Sequence, residues 1–127
     1  MTKRERILLS KIRKYQLLLK ATAKELKLAS PNDLASIHQM MRRGMVQTVA
    51  DIFELTAPLG SETMKMLPMN RSIIKEFRNT ASHNYGSISN ALAYACIVHC
   101  IDKHFMDAVA NLASDSDGTG PAEPSVQ

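Results

Sequence analysis

The sequence predicts an all-α protein, and three of its features support that fold class. Apolar residues recur at three- and four-residue steps over long stretches, which places them on one face of a helix. Met, Leu, Ile and Ala, which favour helices, are frequent among the 127 residues. Runs of Val, Thr, Tyr and Phe that would indicate strands are missing. Since this length suits one compact domain, we expect an antiparallel, up-and-down bundle of four helices.

The first predicted helix runs from Lys3 to Ala29. Its apolar positions repeat with the helical period at Leu8, Ile12, Tyr15, Leu19, Ala23 and Leu26. Nine Lys and Arg residues, against two acidic residues, fall within the first 28 positions. The helix is therefore amphipathic, with a strongly basic outer face.

The second predicted helix begins at ASPNDL and continues to about Thr56. Ser30 is a good N-cap residue, Pro31 suits the first helical position, and Asp33 complements the positive end of the helix dipole. Gly44 is tolerated inside the helix at a cost of ~1 kcal/mol. The apolar side of this helix consists of Leu34, Ile37, Met41, Met45, Val49, Ile52 and Phe53.

The third predicted helix follows an interruption of the helical pattern. Pro58 and Gly60 break the second helix, and a short helical turn begins at Ser61. The third helix then runs from about residue 68 to residue 82. Its core-facing residues are Ile73, Ile74 and Phe77.

The fourth predicted helix starts after Tyr85 and Gly86, with Ser87 or Ser89 as its cap, and ends near Leu112. Its apolar residues are Ile88, Leu92, Ala95, Val98, Phe105 and Val109. Two long helices, a shorter one and a final long one, joined by short turns, complete the predicted bundle.

Composition divides the chain into a helical domain, residues 1–113, and a tail, residues 114–127. The tail is rich in Ser, Gly, Pro and Asp, which is the composition of a disordered segment. No stretch approaches the ~18 consecutive apolar residues that a membrane-spanning helix needs. The basic N-terminus is a poor signal peptide because Lys11 interrupts its apolar run. We therefore expect a cytoplasmic protein without a membrane partner.

Basic residues outnumber acidic ones, with 16 Lys and Arg against 12 Asp and Glu. A basic first helix attracts polyanions, of which nucleic acid is the commonest. Lys11, Lys14, Arg42 and Arg43 are accordingly candidate RNA contacts. The alternative is that these residues form an ordinary solvated face.

The most informative segment is RNTASHNYGS, residues 78–87, which ends the third predicted helix. On a helix Asn79 and His83 share a face, and Gly86 suits the left-handed conformation that follows a last turn. A histidine moves protons near neutral pH, and the guanidinium of Arg78 matches a phosphate group. Such a pair is the smallest set of groups able to cleave RNA without metal. Alternatively, His83 caps the helix and Arg78 is a surface cation.

The spacing of Arg78, four residues, His83, one residue and Tyr85 resembles the RX4HXY motif of the HEPN superfamily, and specifically of HepT-type toxins. Those are compact four-helix proteins of about this length, with the motif at the end of the third helix. The order of helices is similar over the whole helical domain. Two positions depart from the family pattern: Ser82 stands where relatives often have an apolar residue, and Ser89 stands where many have an acidic one.

The resemblance implies a metal-independent endoribonuclease without a cofactor, which acts as a homodimer and is the toxin of a toxin–antitoxin pair. Arg78 and His83 would be the catalytic pair, with Asn79 as the polar neighbour that orients the site. The two motifs would face each other across the dimer cleft and cut single-stranded or loop RNA, leaving 2′,3′-cyclic phosphate ends. The expected antitoxin is a minimal nucleotidyltransferase that AMPylates Tyr85, since a bulky anion there would block the cleft.

Three other interpretations stay open. The same bundle could be a non-catalytic binding module that pairs with a nucleotidyltransferase or another protein, or it could be a purely structural helical dimer. A metal site is the weaker alternative: Cys96, Cys100 and His104 share one stripe of the fourth helix, but a single straight helix cannot surround a tetrahedral ion. Two Cys residues on one helix also form no disulfide framework. His38 is expected to be a partly buried or surface residue rather than a ligand.

Overall fold

The computed structural model describes residues 1–82 and 85–114, and within them the chain is helical and contains no strand. The α-helices are α1 (Lys3–Glu25), α2 (Asp33–Ser36), α3 (Gln39–Thr56), α4 (Ser61–Lys65), α5 (Arg71–Ala81), α6 (Asn90–Cys100) and α7 (Lys103–Ser114), with a 3₁₀ turn at Tyr85–Ser87. The predicted all-α fold class is confirmed. Apart from Ser114, which ends α7, the predicted tail lies outside the described residues. Among the described helices, none has the length and apolarity needed to cross a membrane.

Helix α1 is capped at both ends by neighbouring residues. Thr2 and Glu5 form a capping box: the Glu5 amide donates to the Thr2 hydroxyl at 3.1 Å, and the Thr2 amide donates to the Glu5 carboxylate at 3.0 Å. At the other end, Lys27 has a left-handed backbone (φ 57°), and the Leu28 amide donates to the Ala23 carbonyl at 3.0 Å. This Schellman turn ends α1 before the predicted Ala29.

The Glu5 carboxylate also joins the start of α1 to the loop between α3 and α4. The Gly60 amide donates to Glu5 Oε2 at 2.7 Å. Hydrogen bonds from the Thr2 and Gly60 amides stabilise the ionised carboxylate and lower the pKa of Glu5 to about 2. A Cβ at position 60 would lie 3.1 Å from Oε2, so a glycine allows this close approach.

The second predicted helix is divided into α2 and α3, so the prediction of one continuous helix is wrong. Ile37 has an extended backbone (φ −92°, ψ 162°), which interrupts the helix. His38 then caps α3, because its Nδ1 accepts a hydrogen bond from the Met40 amide at 3.1 Å; its side chain is exposed, as expected for a surface residue. Ser30 is not the N-cap of α2, because this helix begins at Asp33 and Asn32 occupies the N-cap position. The Ser30 amide donates to the Asp33 carboxylate at 3.0 Å.

The interruption between α3 and α5 agrees with the prediction, and α4 begins at Ser61 as expected. Helix α5 begins at Arg71 rather than near Pro68. The reason is that the Asn70 side chain accepts a hydrogen bond from the Ile73 amide at 3.1 Å and so caps the helix at this point. Helix α5 then ends one residue before the predicted boundary.

The fourth predicted helix is also divided, into α6 and α7. Ser89 is confirmed as the cap of α6, since its hydroxyl accepts a hydrogen bond from an amide of the first turn at 3.1 Å. The helix stops at Cys100, whose carbonyl accepts a hydrogen bond from the Gln16 side chain of α1 at 3.0 Å. The Asp102 carboxylate then accepts from the Phe105 amide at 3.3 Å and caps α7. The prediction of a single helix to Leu112 is therefore wrong.

One apolar core joins these helices. Helix α1 packs against α3 and α7, while α6 contacts both α3 and α5. Phe53 of α3 and Phe77 of α5 meet edge to face, with ring centroids 5.4 Å apart. Helix α5 is therefore held against α3 and α6, and its last turn carries the first residues of the RNTASHNYGS motif.

Candidate functional site

The guanidinium of Arg78 is fixed at the C-terminal end of α3. Its Nη2 donates to the Phe53 carbonyl at 3.0 Å, and the Thr56 hydroxyl donates to the same carbonyl at 2.6 Å. The carbonyls of a last helical turn lack partners within the helix and carry its negative dipole end. A guanidinium is therefore favoured here, and the fold determines the position of Arg78.

Most of the hydrogen-bonding capacity of Arg78 is left over after this contact. The guanidinium has five N–H donors, and the side chain is exposed. No carboxylate of the described residues lies within 4.0 Å of it, since the ion pairs found there join Lys65 to Glu62 and Lys103 to Asp107. The remaining donors are available to an anion such as a phosphate group.

A cavity of about 510 Å³ opens beside Arg78, between α5, α4 and the end of α3. Its lining residues, which we call the basic pocket, are Thr56, Ala57, Met64, Met69, Arg71, Ile74, Lys75, Arg78 and Asn79. Three of these residues are cations and none is acidic. Three others, two Met and one Ile, provide apolar surface. The pocket therefore combines positive charge with an apolar lining.

Two cations of the basic pocket, Arg71 and Lys75, were not predicted as site residues. They precede Arg78 by seven and three positions, so all three lie on one side of α5. Like Arg78, they are exposed and have no carboxylate within 4.0 Å in the described part of the chain. The sequence contained one usable indication, the i, i+4, i+7 spacing of basic residues immediately before the motif.

Asn79 is brought into the same pocket as Arg78, in agreement with their pairing in the motif. Its side chain is exposed and makes no hydrogen bond within the described residues, while its carbonyl accepts from the Ser82 hydroxyl at 2.9 Å. His83 lies outside the described residues, so its catalytic role stays a prediction. Tyr85 belongs to the 3₁₀ turn, but its side chain is also outside the described part.

The end of the motif contacts α3 at its N-terminal half. Gly86 lines a cavity of about 240 Å³ together with Gln39, Arg42, Arg43 and Val46. Arg42 stabilises this junction, because its Nε donates to Asn90 Oδ1 at 2.8 Å and its Nη2 to the Ile88 carbonyl at 2.5 Å. Arg43 is exposed. The RNA-binding role of both arginines stays a prediction, and Arg42 has in addition a structural role.

The other candidate RNA contacts, Lys11 and Lys14, lie on the exposed surface of α1. Together with Lys3 and Arg6 they line a cavity of about 400 Å³, and none of its described lining residues is acidic. Lys11 also borders a cavity lined by two acidic residues of α3. Neither lysine lines the basic pocket that contains Arg78.

The cysteines of the fourth predicted helix belong to the core. Cys96 and Cys100 are free thiols and fully buried. Burial, with a smaller effect of the Glu76 charge, raises the pKa of Cys96 to about 12, and burial also raises the pKa of Cys100. Both thiols are therefore protonated at neutral pH. In residues 1–82 and 85–114, no group of three His, Cys, Asp or Glu side chains could hold a metal ion.

His99 has a structural role that the sequence did not indicate. Its Nε2 accepts a hydrogen bond from the Asn70 amide at 3.1 Å, and its ring stacks on Phe105 at 5.3 Å. Burial lowers the pKa of His99, although the Asp102 charge opposes this effect. The neutral imidazole thus holds the start of α5, one residue before Arg71.

An exposed apolar surface lies between α1 and α3. Leu18 and Met40 are 56% and 63% exposed, and they border a groove of about 220 Å³ together with Met41 and Gly44. A Cβ at Gly44 would meet no atom within 4 Å, so the backbone of α3 is open to a partner at this point.

Comparison with known proteins finds no match to this chain among protein-family models, curated proteins or solved structures. The resemblance to the HEPN superfamily therefore depends on the motif from Arg78 to Tyr85 and on the order of the helices. Any function assigned to the protein has to be argued from its own residues, above all from Arg78 and its basic pocket.

Proposed function

We propose that the protein is a HepT-like endoribonuclease, the toxin of a toxin–antitoxin pair, which acts on RNA in the cytoplasm through Arg78 and His83. One observation carries the proposal. The fold fixes the Arg78 guanidinium at the end of α3, while most of its donors have no partner among the described residues and no described carboxylate lies within 4.0 Å of it. Positioned donors of this kind are what a reaction needs when it builds up charge on a phosphate.

The proposed reaction is an intramolecular transesterification without metal. His83 takes the proton of a ribose 2′-OH, and the 2′-oxygen attacks the adjacent phosphorus. Arg78 stabilises the negative charge that grows on the phosphate oxygens. The bond from phosphorus to the 5′-oxygen then breaks, and this oxygen takes a proton from water. The products are a 2′,3′-cyclic phosphate and a 5′-hydroxyl, and Asn79 orients the site.

Homodimerisation is part of the proposal, because one protomer offers few groups to hold and cut a phosphodiester. The apolar groove between α1 and α3 supports association with a second copy, since exposed apolar surface of this kind favours interfaces. The test is the mass in solution, measured by light scattering. A dimer that Met41→Glu converts to monomer supports the proposal, whereas a monomeric wild-type protein at all concentrations contradicts it.

The proposed antitoxin is a minimal nucleotidyltransferase that transfers AMP to Tyr85. An added phosphate carries negative charge, and it would compete with RNA for Arg78. Co-expression with a minimal nucleotidyltransferase of this type should add the mass of whole AMP units to the protein, and Tyr85→Phe should prevent the addition. An unchanged mass in the wild-type protein would remove this part of the proposal.

A non-catalytic binding module is the second candidate function. The apolar surface of the basic pocket favours it, because cleavage of a phosphodiester alone requires no apolar lining. In that case the pocket serves for docking of a nucleotidyltransferase or another partner, and loss of His83 has no consequence. The two functions therefore predict different effects of the substitution His83→Ala on RNA cleavage.

The decisive experiment is RNA cleavage by the purified protein in the presence of EDTA. Wild-type protein, checked by mass to be unmodified, is compared with His83→Ala and with the control His104→Ala, which removes an exposed histidine of α7. We expect wild type and the control to leave 2′,3′-cyclic phosphate ends, and His83→Ala to be inactive. If wild type neither cuts RNA nor inhibits growth on induced expression, the binding-module function replaces the ribonuclease.

A further inference from the structure

The basic pocket has the properties of a site for one nucleotide unit. It has a volume of about 510 Å³, within the range of small-molecule sites. Its lining combines cations, apolar side chains and one side-chain amide that has no hydrogen-bond partner among the described residues. We propose that it binds an unpaired nucleotide of an RNA strand, adjacent to the phosphate that Arg78 contacts. This inference rests on the proposed function and names the class of RNA that the site accepts.

Charge is the first argument for an RNA strand. Arg71, Lys75 and Arg78 are spread over about 10 Å of the α5 axis, given the helical rise per residue. None of the described residues that line the pocket is acidic, and no described carboxylate pairs with these cations. Their charge is therefore available to a ligand whose negative charges are repeated along a chain, as they are in nucleic acid.

The apolar lining is the second argument. Met64 and Met69 are half-buried and Ile74 is 6% exposed, so together they form a partly covered apolar surface beside the cations. A phosphate gains nothing from such a surface, whereas the face of a base does, and the polarisable sulfur of Met makes favourable contacts with aromatic rings. The lining thus fits a base that has left its stack.

Asn79 completes the arrangement. Its side-chain amide lines the pocket and makes no hydrogen bond within the described residues. An amide offers both a donor and an acceptor, which is the combination needed to contact the edge of a base. Bases in a duplex are stacked and paired, so only an unpaired nucleotide can place its face on the Met residues and its edge on Asn79.

The test measures binding without cleavage. Wild-type protein is titrated against a short labelled RNA whose 2′-hydroxyls are methylated, so that the attacking oxygen is blocked. Single abasic positions are then introduced one at a time along the strand. We expect one position at which the abasic change weakens binding by about fivefold, with smaller effects elsewhere. The corresponding duplex should bind more weakly than the single strand.

A matched pair of variants tests the cations. Lys75→Ala should reduce the slope of log affinity against log salt concentration by about one, because one phosphate contact is lost. Lys103→Ala makes the same change on the exposed surface of α7, outside the pocket and at a cation already paired with Asp107, and should leave the slope as it is. Circular dichroism of both variants checks that they are folded.

The results separate this inference from the proposed function. A single sensitive position with a reduced slope for Lys75→Ala supports the nucleotide site, even if wild type fails to cut RNA. Cleavage without any sensitive position, or a duplex that binds as tightly as the single strand, overturns the inference and leaves the ribonuclease standing. A third result also overturns the inference: free AMP binds saturably, and Lys75→Ala weakens AMP binding but leaves RNA affinity unchanged. The pocket would then be assigned to a free nucleotide.

Discussion

Replacement of Arg78 by Ala tests the structural and the chemical role of this residue at the same time. The substitution removes the hydrogen bond to the Phe53 carbonyl at 3.0 Å and the cation at the end of α3. It also removes the donors proposed to stabilise charge on phosphate. These two losses have different magnitudes, so stability and activity measured on the same variant distinguish them.

The expected loss of stability is small. The Phe53 carbonyl keeps the Thr56 hydroxyl, 2.6 Å away, and is not left without a partner. The net value of the lost hydrogen bond and of the charge at the helix end is therefore ~1 kcal/mol. A domain of ordinary stability, roughly 5 kcal/mol or more, remains folded after this change. Unfolding then inactivates only about one molecule in a thousand.

The expected loss of activity is much larger. Removal of one preorganised donor that stabilises transition-state charge typically lowers the rate by about 10² to 10³. Thr2→Ala is the matched control, because loss of the capping box of α1 also costs ~1 kcal/mol at a position that does not line the basic pocket.

The assay combines thermal unfolding with initial rates of RNA cleavage in EDTA. Both variants should melt a few degrees below wild type, about 4 °C, but only Arg78→Ala should lose its activity. Arg78→Ala activity within about threefold of wild type would show that the guanidinium is a structural anchor only. Equal losses of cleavage activity in Arg78→Ala and Thr2→Ala would show that destabilisation causes the effect.

Three further predictions concern the fold. Lys27→Gly should raise the free energy of unfolding by ~1 kcal/mol, since φ is 57° at this position, and thermal melts measure the gain. Stability in urea should fall as pH drops below the usual pKa of a histidine and through the lowered pKa of His99, because protonation breaks the bond from the Asn70 amide. His99→Gln should flatten this dependence. Cys96 and Cys100, buried and with raised pKa values, should resist thiol reagents until denaturant is added.

Each of these predictions has a contrary outcome. Lys20→Gly, in the middle of α1, should destabilise the protein by ~1 kcal/mol, and an equal loss for Lys27→Gly would contradict the left-handed conformation there. An unchanged pH dependence in His99→Gln would assign the slope to other groups. Rapid labelling of Cys96 in the native protein would show that α6 opens easily.

Much of the helical pattern followed from the sequence, whereas two of the helix interruptions did not. The periodicity predicted α1, Pro58 and Gly60 predicted the break before α4, and Ser89, one of two candidate caps, is the cap of α6. The breaks at Ile37 and Ile101 were missed because apolar spacing continues across them. Histidine is an unusual N-cap residue, so the cap that His38 makes on α3 was not expected. Asp is a common one, so Asp102 could have been recognised from the sequence as the cap of α7.

The candidate site was predictable only where it is local. Arg78 and Asn79 were singled out because they are neighbours in a short motif, and their catalytic roles stay predictions. The pocket around them depends on packing of α5 against α4 and the end of α3, so Arg71 and Lys75 were missed. The contact of Arg42 with Asn90 joins residues 48 positions apart, a pairing that periodicity cannot show.

The charge of the basic pocket also predicts that a substitution of Lys75 changes stability and RNA binding in opposite directions. The neighbours of Lys75 on the surface of α5 at three- and four-residue spacing are Arg71, Ser72, Arg78 and Asn79. Two are cations and none is acidic, and a like-charge pair at this spacing costs ~0.2–0.5 kcal/mol.

Lys75→Ala should therefore raise the free energy of unfolding by ~0.5 kcal/mol in the absence of RNA, since it removes two repulsive pairs and introduces the best helix former. The same substitution should weaken RNA binding. Salt screens repulsion between exposed charges, so the gain should shrink as salt is added. If Lys75 only supported the fold, its replacement by Ala would lower the free energy of unfolding. A Lys75→Ala protein less stable than wild type at low salt would therefore contradict this explanation of the pocket.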